Sequence, residues 1–377
     1  LVLSGEDGAV PVIDEAKLPQ HMYAMLAATA GVTSVSVAGD TVNALPVMVP
    51  SSKSVFGEAH YSFTLAPTLG FDHAEATGAA LPANYELAAW APDALLGPAW
   101  PAIYAALGSA IHNDYPVIEG LLNAVHLDHS ITLEYTPEQM LERGITTIDV
   151  TSHVAAVDES SSGRIVTVAL ELKANGEHVG STQERFAIRG RATGNRAPSE
   201  AAPFGGAKVE VVDTPRSVLR RVSVKAPDDM TPFAIVSGDY NPIHTSYAAA
   251  KVAGMDAPLV HGMWLSATAQ HAAEAVVAGQ GGAQIAGWTY YMYGTVDLND
   301  EVEITVERVG RVVGGGLSLE VTCRINKQVV SRASAYTFAP KVAYVYPGQG
   351  IQSAGMGLDE RTKSKAVDEV WRRACLL

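Results

Sequence analysis

The sequence predicts an α+β protein in which a helix packs against a mostly antiparallel sheet, and this arrangement occurs twice along the chain. In each half, an apolar and helix-like stretch precedes several strand-like segments. Each run of strands ends in a tight hairpin, at Asn175-Gly176 and at Asn326-Lys327. Hairpins of this length connect antiparallel strands. The shared order indicates a duplicated unit, although the two halves have few residues in common.

The first half contains the less regular elements. We predict a helix near residues 15–30, followed by Val-rich stretches and a Pro-rich turn, and we assign no function to this lead-in. An Ala-rich helix is predicted within 85–107, because Pro98 and Pro101 suit the first turn of a helix. Alternating apolar residues then predict strands at 131–135, 146–157, 165–173 and 178–188.

Residues 192–206 are rich in Ala, Gly and Pro and predict a linker between the halves. Behind this linker, residues 258–278 are predicted to be helical. Strands are predicted at 218–224, 286–296, 302–309, 317–325 and 328–338. The second half therefore has the more complete set of elements.

Composition and charge limit the classes of function. The 377 residues suffice for two or three domains, and 47% apolar residues can form a sizeable core. A net charge of −14 without a Lys/Arg-rich run disfavours nucleic-acid binding. The apolar stretches are broken well before the ~20 residues that a membrane helix needs. We therefore expect neither a nucleic-acid partner nor a membrane partner.

The cysteines indicate the compartment. Cys323 and Cys375 are the only two, too few for a disulfide framework or a four-cysteine zinc site. No basic segment followed by an apolar core marks a signal peptide at the start. These observations favour a reducing cytoplasm. The chain starts at Leu1 and ends within a helix-like stretch, so we expect a fragment of a longer protein.

The segment 235–270, IVSGDYNPIHTSYAAAKVAGMDAPLVHGMWLSATAQ, carries the candidate chemistry. Gly238 permits unusual backbone angles, and Pro242 disfavours a regular helix and extends Asn241 before it. Asp239 and His244 are therefore predicted to lie on one loop with their side chains close together. A carboxylate beside an imidazole suits the transfer of two protons in one turnover. An isolated Asp and His in a loop would more often be a turn and a surface residue, but the spacing and the Asn-Pro between them favour chemistry.

Gly262 is the third candidate, in the first turn of the helix that follows Pro258. The N–H groups of a first helical turn have no partner within the helix and carry a positive partial charge. A glycine lets a substrate approach its N–H closely. We therefore predict an oxyanion hole for a thioester carbonyl at Gly262.

SGDYNPIH, followed by AGMDAPLVHGM, resembles the signature of MaoC-like dehydratases and (R)-specific enoyl thioester hydratases. The resemblance implies a tandem, pseudo-dimeric double hot-dog fold, in which antiparallel sheet wraps around a long helix. It implies catalytic Asp239 and His244, with Asn241 orienting the hydroxyl or water and the Gly262 N–H holding the thioester oxygen. Tyr240 stands where Trp is also common in that family.

The first half, 85–191, resembles the partner unit of that family, which helps to bind the acyl chain and lacks the motif. Its sequence His126-Leu127-Asp128-His129 could suggest a metal or acid–base site. Neighbouring residues of a strand point to opposite faces, so we interpret this group as structural. The aromatic stripe Trp288, Tyr290, Tyr291 and Tyr293 is interpreted as sheet packing in preference to the wall of an acyl tunnel.

The C-terminal segment 341–377 carries a second resemblance. VAYVYPGQGIQSAGMG, at 342–357, resembles the opening strand and loop of an acyltransferase of fatty acid or polyketide synthases. No GxSxG nucleophile elbow follows, so this segment is expected to be inactive. A dehydratase followed by an acyltransferase resembles the layout of a type I fatty acid synthase of the fungal and actinobacterial kind. The predicted domains are then a lead-in 1–84, a non-catalytic unit 85–191, a catalytic unit 207–340 and a truncated acyltransferase.

These resemblances imply dehydration of a (3R)-hydroxyacyl thioester that is carried on the phosphopantetheine of an acyl carrier domain, with no cofactor held by the chain itself. His244 would remove the α-proton, and Asp239, protonated or sharing a proton through solvent ordered by Asn241, would assist departure of the hydroxyl. A stand-alone (R)-specific enoyl-CoA hydratase and a catalytically silent module of a megasynthase remain alternatives.

The other domains of the same synthase are the expected partners, within a large homo-oligomer. Carrier domains tend to be acidic, so a basic patch would help to dock one. The candidate patch consists of Arg216, Arg220, Arg221 and Lys225, and an ordinary solvated strand edge explains these residues equally well.

Overall fold

A computed structural model describes residues 18–33, 42–66, 68–78, 90–112, 115–118, 124–160, 163–190, 209–278, 284–339 and 353–375. The predicted linker 192–206 and the PGQG sequence at 347–350 lie outside these residues. The chain divides into two compact units, Leu1–Pro340 and Lys341–Leu377.

The first half of the larger unit is built from short helices and long strands. Its early elements are α1 (Leu18–Thr29), β1 (Met48–Val49), β2 (Glu58–Thr64) and α2 (Leu69–Ala76). They are followed by α3 (Pro92–Leu96), a 3₁₀ turn (Gly97–Ala99), α4 (Trp100–Ser109), β3 (Ile111–His112) and β4 (Tyr115–Pro116). The last elements of this half are β5 (Ala124–Leu133), α5 (Pro137–Glu142), β6 (Thr147–Ser160), β7 (Gly163–Ala174) and β8 (Glu177–Arg189).

The second half repeats the scheme of one long helix and a set of strands. Its elements up to the helix are β9 (Val211–Lys225), α6 (Thr231–Ser237), a 3₁₀ turn (Pro242–His244), α7 (Tyr247–Val252) and α8 (Gly262–Ala278). The remaining strands are β10 (Ile285–Met292), β11 (Glu301–Val312), β12 (Leu317–Ile325) and β13 (Gln328–Thr337).

Eleven of the described strands form one antiparallel sheet in the order β1-β2-β6-β7-β8-β5-β10-β13-β12-β11-β9. β5 and β10 join the two halves, with Gly287 opposite Thr132 and Tyr291 opposite Asp128. Helix α4 packs on β2, β6 and β7, and α8 packs on strands β9 to β13. Each half is thus a sheet curved around one helix, which confirms the predicted α+β class and the double hot-dog arrangement.

The two predicted hairpin turns are present, and their backbone explains their sequence. Asn175 and Gly176 have φ values of 51° and 80°, and Asn326 and Lys327 have φ values of 50° and 70°. Two successive residues with positive φ form the type I′ turn, whose twist matches that of the flanking strands. These turns fix the pairing of β7 with β8 and of β12 with β13.

Several elements extend beyond the predicted ranges. β5 begins at Ala124, seven residues before the predicted strand at 131–135, and β9 begins at Val211 rather than at 218. In contrast, β10 ends at Met292, and α8 begins at Gly262, four residues after Pro258. Leu259 explains the delayed start of this helix, because it forms a β-bridge with Asp297 instead.

Part of the lead-in belongs to the same sheet and core. β2 pairs with β6 from Ala59–Ser152 to Thr64–Thr147, and Ala59 and Phe63 are buried beneath it. Helix α2 adjoins α8 of the second half: the indole N–H of Trp264 donates to the carbonyl of Ala76 at 3.0 Å. The boundary at residue 85 between lead-in and first unit stays a prediction, but these contacts tie residues on both sides of it to one core.

The smaller unit contains α9 (Leu358–Lys363) and α10 (Lys365–Ala374). Ser364 caps α10 by accepting a hydrogen bond from the N–H of Val367. The Arg361 guanidinium donates to the Asp368 carboxylate at 2.7 Å and links the two helices. The assignment of this unit to an acyltransferase stays a prediction.

Candidate active site

A tight turn after α6 places Asp239. Helix α6 ends at Ser237, and Gly238 follows with φ 68°, the left-handed conformation that glycine adopts without steric cost. Asp239 is 5% exposed, so the turn carries a carboxyl group into the interior. Asn241 is extended before Pro242, at φ −58° and ψ 113°, and the 3₁₀ turn Pro242–His244 then returns the chain.

The hydrogen bond of His244 fixes its tautomer. Its Nδ1 lies 2.9 Å from the carbonyl oxygen of Leu259. A carbonyl can only accept, so Nδ1 carries the hydrogen and Nε2 of a neutral ring presents a lone pair. Desolvation is the largest cause that lowers the pKa of His244 to about 3, although Asp239 opposes the shift. His244 is therefore a neutral imidazole with the protonation state of a general base.

His261 is the functional residue that the sequence analysis did not select. Its Nε2 lies 2.6 Å from Oδ2 of Asp239, and its ring centre is 4.4 Å from that of His244. Its Nδ1 accepts the N–H of Met263 at 3.1 Å, so the hydrogen of the neutral ring is on Nε2 and is donated to Asp239. His261 thus joins the two predicted residues.

Local sequence contains a signal for His261. It directly precedes α8, where first-turn N–H groups need an acceptor, and its Nδ1 fills that need as a capping side chain does. A histidine in this position has its second nitrogen available for another partner. That nitrogen contacts Asp239, which is remote in sequence, so the contact is visible only in the folded chain.

Opposing effects act on Asp239. Burial is the largest and raises its pKa, but the hydrogen bonds from His261 and from the N–H of Asn241 help to hold its pKa below the ordinary value. The Asn241 N–H donates to Oδ1 at 3.1 Å. Asp239 is thus an ionised, hydrogen-bonded carboxylate. Two neighbouring titratable groups can take separate roles when their environments give them different protonation states, and Asp239 is the charged member of the pair with neutral His244.

Asn241 makes local contacts. Its side-chain oxygen accepts the N–H of Ile243 at 3.3 Å and caps the 3₁₀ turn. Its backbone N–H holds Asp239, as described above. Both contacts shape the turn formed by residues 238–244, which is called the catalytic turn below. The expected ordering of a hydroxyl or water by Asn241 stays a prediction.

Gly262 is the first residue of α8, directly after His261. Among the described residues, none accepts a hydrogen bond from its N–H. A Cβ on Gly262 would come within 2.4 Å of the Met292 sulfur, so the thioether packs against the place where a side chain would be. A larger residue here would have to displace the Met292 thioether, and the exposed N–H of the glycine suits the predicted oxyanion hole.

The first half supplies the wall opposite these residues. Trp100 stacks on Tyr104 with ring centres 5.2 Å apart, and Phe186 stacks on His126 at 4.8 Å. A small cavity lies between residues of the two halves, and none of Asp239, His244 and Gly262 lines it. It is lined by His73, Asp93, Leu96, Gly97, Trp100, Phe233, Ser237 and Met263.

The histidines of the first half have structural partners. A bulge in β5 between His126 and Asp128 brings His126 and His129 to the same face, with ring centres 6.2 Å apart. Asp128 instead forms an ion pair with Arg185. His126 contacts Glu184 at 2.9 Å, and His129 contacts Ser266 at 2.9 Å. In the described part of the chain, no group of three or more His, Cys, Asp and Glu side chains could hold a metal ion.

The aromatic stripe on β10 divides into two parts. Trp288 and Tyr290 are 1% exposed and donate hydrogen bonds to Ser266 and Ser331. Tyr291 is half-buried and Tyr293 is 60% exposed. The buried pair packs in the sheet as expected, and the outer pair stacks with parallel rings at 6.4 Å.

The candidate basic patch lies on β9, at the end of the sheet order. Arg216 is engaged by Glu320 at 2.6 Å and Glu307 at 3.3 Å, which partly neutralises it. Among the described helices, none combines the length and apolar character that a bilayer crossing requires.

The fold is that of a double hot-dog protein, and the described residues of its second unit hold the candidate acid–base group Asp239, His244 and His261. Residues 207–329 match the family model described as MaoC like domain. The chain is also 34% identical over 148 residues to the fatty acid synthase subunit beta of Saccharomyces cerevisiae. That match covers 39% of this chain and 7% of the yeast subunit, so the chain spans a small part of its relatives.

Solved structures show the same fold at low sequence identity. A MaoC-like dehydratase from Phytophthora capsici has a TM-score of 0.54 at 14% identity, covering 75% of this chain and 96% of its own. HtdX of Mycobacterium tuberculosis has a TM-score of 0.51 at 17% identity, covering 74% and 98%. These structures confirm the predicted fold, and the family match with the similarity to the yeast subunit confirms the predicted resemblance to MaoC-like proteins and fungal-type synthases.

Proposed function

We propose that this chain is the 3-hydroxyacyl thioester dehydratase station of a type I fatty acid synthase. It eliminates water from a (3R)-hydroxyacyl thioester and gives a trans-2-enoyl thioester. One observation carries the proposal: His261 donates to the Asp239 carboxylate at 2.6 Å while its ring lies against that of His244, whose Nδ1–H is held by Leu259. An anionic acceptor and a neutral base are thereby held side by side.

In the proposed reaction, one histidine handles both protons. Nε2 of His244 removes a proton from the carbon next to the thioester, and the Gly262 N–H stabilises the negative charge that develops on the carbonyl oxygen. The carbon–oxygen bond at the third carbon then breaks, and the imidazolium returns its proton to the departing hydroxyl, which leaves as water. His244 is regenerated as a neutral ring.

Asp239 acts as a carboxylate in this scheme. Its hydrogen-bond donors favour the ionised form, so it accepts a hydrogen bond from the substrate hydroxyl and stabilises the imidazolium. The hydration of an enoyl thioester is the same sequence in reverse, and the same residues serve both directions. The hydrogen bonds to Asp239 therefore support an ionised carboxylate in this scheme, in preference to the protonated carboxyl group that was also considered.

The domain assignments complete the proposal. Residues 85–191 bind the acyl chain, 207–340 carry the chemistry, and 341–377 begin an acyltransferase domain. The substrate arrives on the phosphopantetheine of an acyl carrier domain in a cytoplasmic synthase that assembles as a large homo-oligomer. The chain itself needs no cofactor, because the scheme uses only its own side chains and one N–H.

The test uses the intact chain with crotonyl-CoA and with a crotonyl carrier protein, following loss of the enoyl absorbance. We expect hydration of both substrates, with a preference for the carrier-bound form. Activity restricted to CoA would support a free-standing enoyl-CoA hydratase instead. Absence of activity with both substrates would leave a silent structural module and would refute the proposal.

A further inference from the structure

The catalytic turn is hydrogen-bonded to the end of a helix in the lead-in. The N–H of Asp239 donates to the Ser237 hydroxyl at 3.3 Å, and the N–H of Asn241 donates to the Asp239 carboxylate at 3.1 Å. Both of these bonds stay within the residues around the turn. The N–H of Tyr240, which lies between them, donates instead to the carbonyl oxygen of Thr29 at 2.8 Å. The shortest of the three bonds therefore leaves the turn and reaches the lead-in.

Thr29 is the last residue of α1. The last carbonyls of a helix have no partner within the helix, and they carry a negative partial charge. The chain turns away two residues later, where Gly31 has φ 77°. The end of α1 therefore presents an acceptor, and the Tyr240 N–H is bound to it.

Packing on α4 holds α1 in place. Leu26 of α1 is 1% exposed, and a Cβ on Gly108 of α4 would lie 2.9 Å from the Leu26 Cδ1 atom and 3.1 Å from the Tyr23 ring. Glycine at this position lets the two helices approach each other closely. Because α4 is the central helix of the first half, the acceptor at Thr29 is tied to the core of that half.

A second backbone contact lies just before Asp239. A Cβ on Gly97, in the 3₁₀ turn before α4, would lie 2.8 Å from the carbonyl oxygen of Ser237. A Cβ on Gly238 would lie 2.9 Å from the carbonyl oxygen of Gly97. The chain on both sides of Asp239 thus rests on backbone outside the family match at 207–329. Since a peptide unit is planar, fixing the direction of the Tyr240 N–H fixes the whole peptide plane that follows Asp239.

We infer that α1 is a positioning element of the candidate active site. Through the Thr29 carbonyl it fixes the peptide after Asp239, and it thereby orients the carboxylate toward the ring of His261. The inference rests on the proposed function for its kinetic consequence only. It gives a function to a helix for which the sequence suggests none, and it means that residues 207–340 need α1 to form a working site.

The experiment removes the Tyr240 N–H alone. Nonsense suppression with the α-hydroxy analogue of tyrosine replaces this N–H by an ester oxygen and leaves the side chain unchanged. The matched control places the α-hydroxy analogue of phenylalanine at Phe338, whose N–H donates to the Gln284 carbonyl, also at 2.8 Å. Gln284 directly precedes β10, so it lies at the opposite end of that strand from Met292, which packs against Gly262.

The intact wild-type chain and both ester chains are assayed for hydration of a crotonyl thioester. For the Tyr240 ester we expect kcat to fall on the order of tenfold at a KM within about twofold of the wild type, because misplacing a catalytic group slows the reaction without removing a substrate contact. The Phe338 ester should keep both constants near the wild-type values. Equal kcat values for the two folded ester chains would overturn the inference.

A second pair of variants moves α1 itself, and its readout does not depend on turnover. Gly108→Leu places a side chain against Leu26 and displaces α1, and Leu26→Ala in the same chain makes room again. In chains labelled with ¹⁵N-histidine, the Nε2 proton that His261 donates to Asp239 is followed by NMR and assigned by its loss in His261→Phe. We expect its resonance to shift in Gly108→Leu and to return toward the wild-type position in the double variant.

The two readouts separate the inference from the proposed function. A resonance that is the same in the wild type and in folded Gly108→Leu overturns the inference, whatever the rates, and so does a shift that persists in the double variant. A resonance that shifts and recovers in a chain without hydratase activity supports positioning by α1 and refutes the proposed function. If Gly108→Leu fails to fold, Gly108→Ala, whose Cβ already meets Leu26 at 2.9 Å, takes its place with the same outcomes.

Discussion

His261 donates its Nε2–H to the Asp239 carboxylate at 2.6 Å while its Nδ1 accepts the N–H of Met263 at the start of α8. One imidazole therefore has both of its nitrogens occupied, one by a helix terminus and one by the Asp239 carboxylate. The position of Asp239 is in this way coupled to the start of the helix that also presents the Gly262 N–H.

This coupling predicts the result of replacing His261. His261→Phe keeps the ring but removes both hydrogen bonds, so Asp239 loses its shortest donor and the pKa of its carboxyl rises. We expect kcat/KM for crotonyl thioester hydration to fall on the order of 10²-fold, with the acid limb of its pH profile displaced to higher pH. His271→Phe is the matched control, on the helix that follows His261, because His271 contacts Thr77 and Glu274 instead. Equal effects of the two changes would contradict this function of His261.

The close approach of Met292 to Gly262 predicts that a second substitution can compensate for a larger side chain at position 262. In Gly262→Ala the new Cβ meets the Met292 sulfur, and overpacking of this kind typically costs about 1–3 kcal/mol of the free energy of unfolding. Met292→Ala removes the clash, so the double variant should regain much of that stability and of the hydratase rate. Urea unfolding and enoyl absorbance measure the two. A double variant no better than Gly262→Ala would show that something other than space requires the glycine.

Asp93 predicts an unusual dependence of stability on pH. Burial, opposed by the Ser266 hydroxyl, raises the pKa of Asp93 to about 8 from its usual 3.8. The native carboxyl therefore keeps a proton that the unfolded chain has lost, and its contribution is present below about pH 4 and is lost as pH rises to 8. Relative to Asp93→Asn, which does not titrate, the wild type should lose up to ~1.4 kcal/mol per pH unit within this window. Parallel urea-unfolding stabilities between pH 5 and pH 8 would contradict the assignment.

The contacts of the lead-in with the sheet and with α8 predict that its removal destabilises the fold. Removal of residues 1–78 takes β2 from the edge of β6 and removes the carbonyls of Ala76 and Thr77, which accept from Trp264 and Thr268 on α8. We expect the shortened chain to lose cooperative thermal unfolding or to melt at least several degrees lower. A melting temperature equal to that of the full chain would mean that the lead-in is dispensable for the fold.

Features encoded by neighbouring residues were predictable from the sequence. Asn175-Gly176 and Asn326-Lys327 specify their turns locally, because both residues of each pair adopt positive φ. The catalytic turn was predictable for the same reason, since Gly238 and Pro242 determine its backbone. The double hot-dog arrangement was implied by the family resemblance, which two short motifs carry, SGDYNPIH and AGMDAPLVHGM.

Contacts between distant residues were not predictable. β2 buries only Ala59 and Phe63 on its inner face, too few to distinguish it from a loop before β6 is seen beside it. A bulge in β5 turns His126 and His129 to one face against the simple alternation of a strand. His261 meets Asp239 only after the second half has folded, so local pattern could indicate a polar helix start but not its partner.

The central claim is that Asp239 and His244 perform the acid–base chemistry. Its most direct test measures hydration of a crotonyl thioester by Asp239→Asn and by His244→Ala, with circular dichroism to establish that both are folded. Asp128→Asn, which removes a carboxylate paired with Arg185 in the first half, and His271→Phe serve as matched controls. We predict that each catalytic change lowers turnover at least ~10²-fold and that the controls stay near the wild-type rate. A folded Asp239→Asn or His244→Ala chain with a near-wild-type rate would contradict the claim.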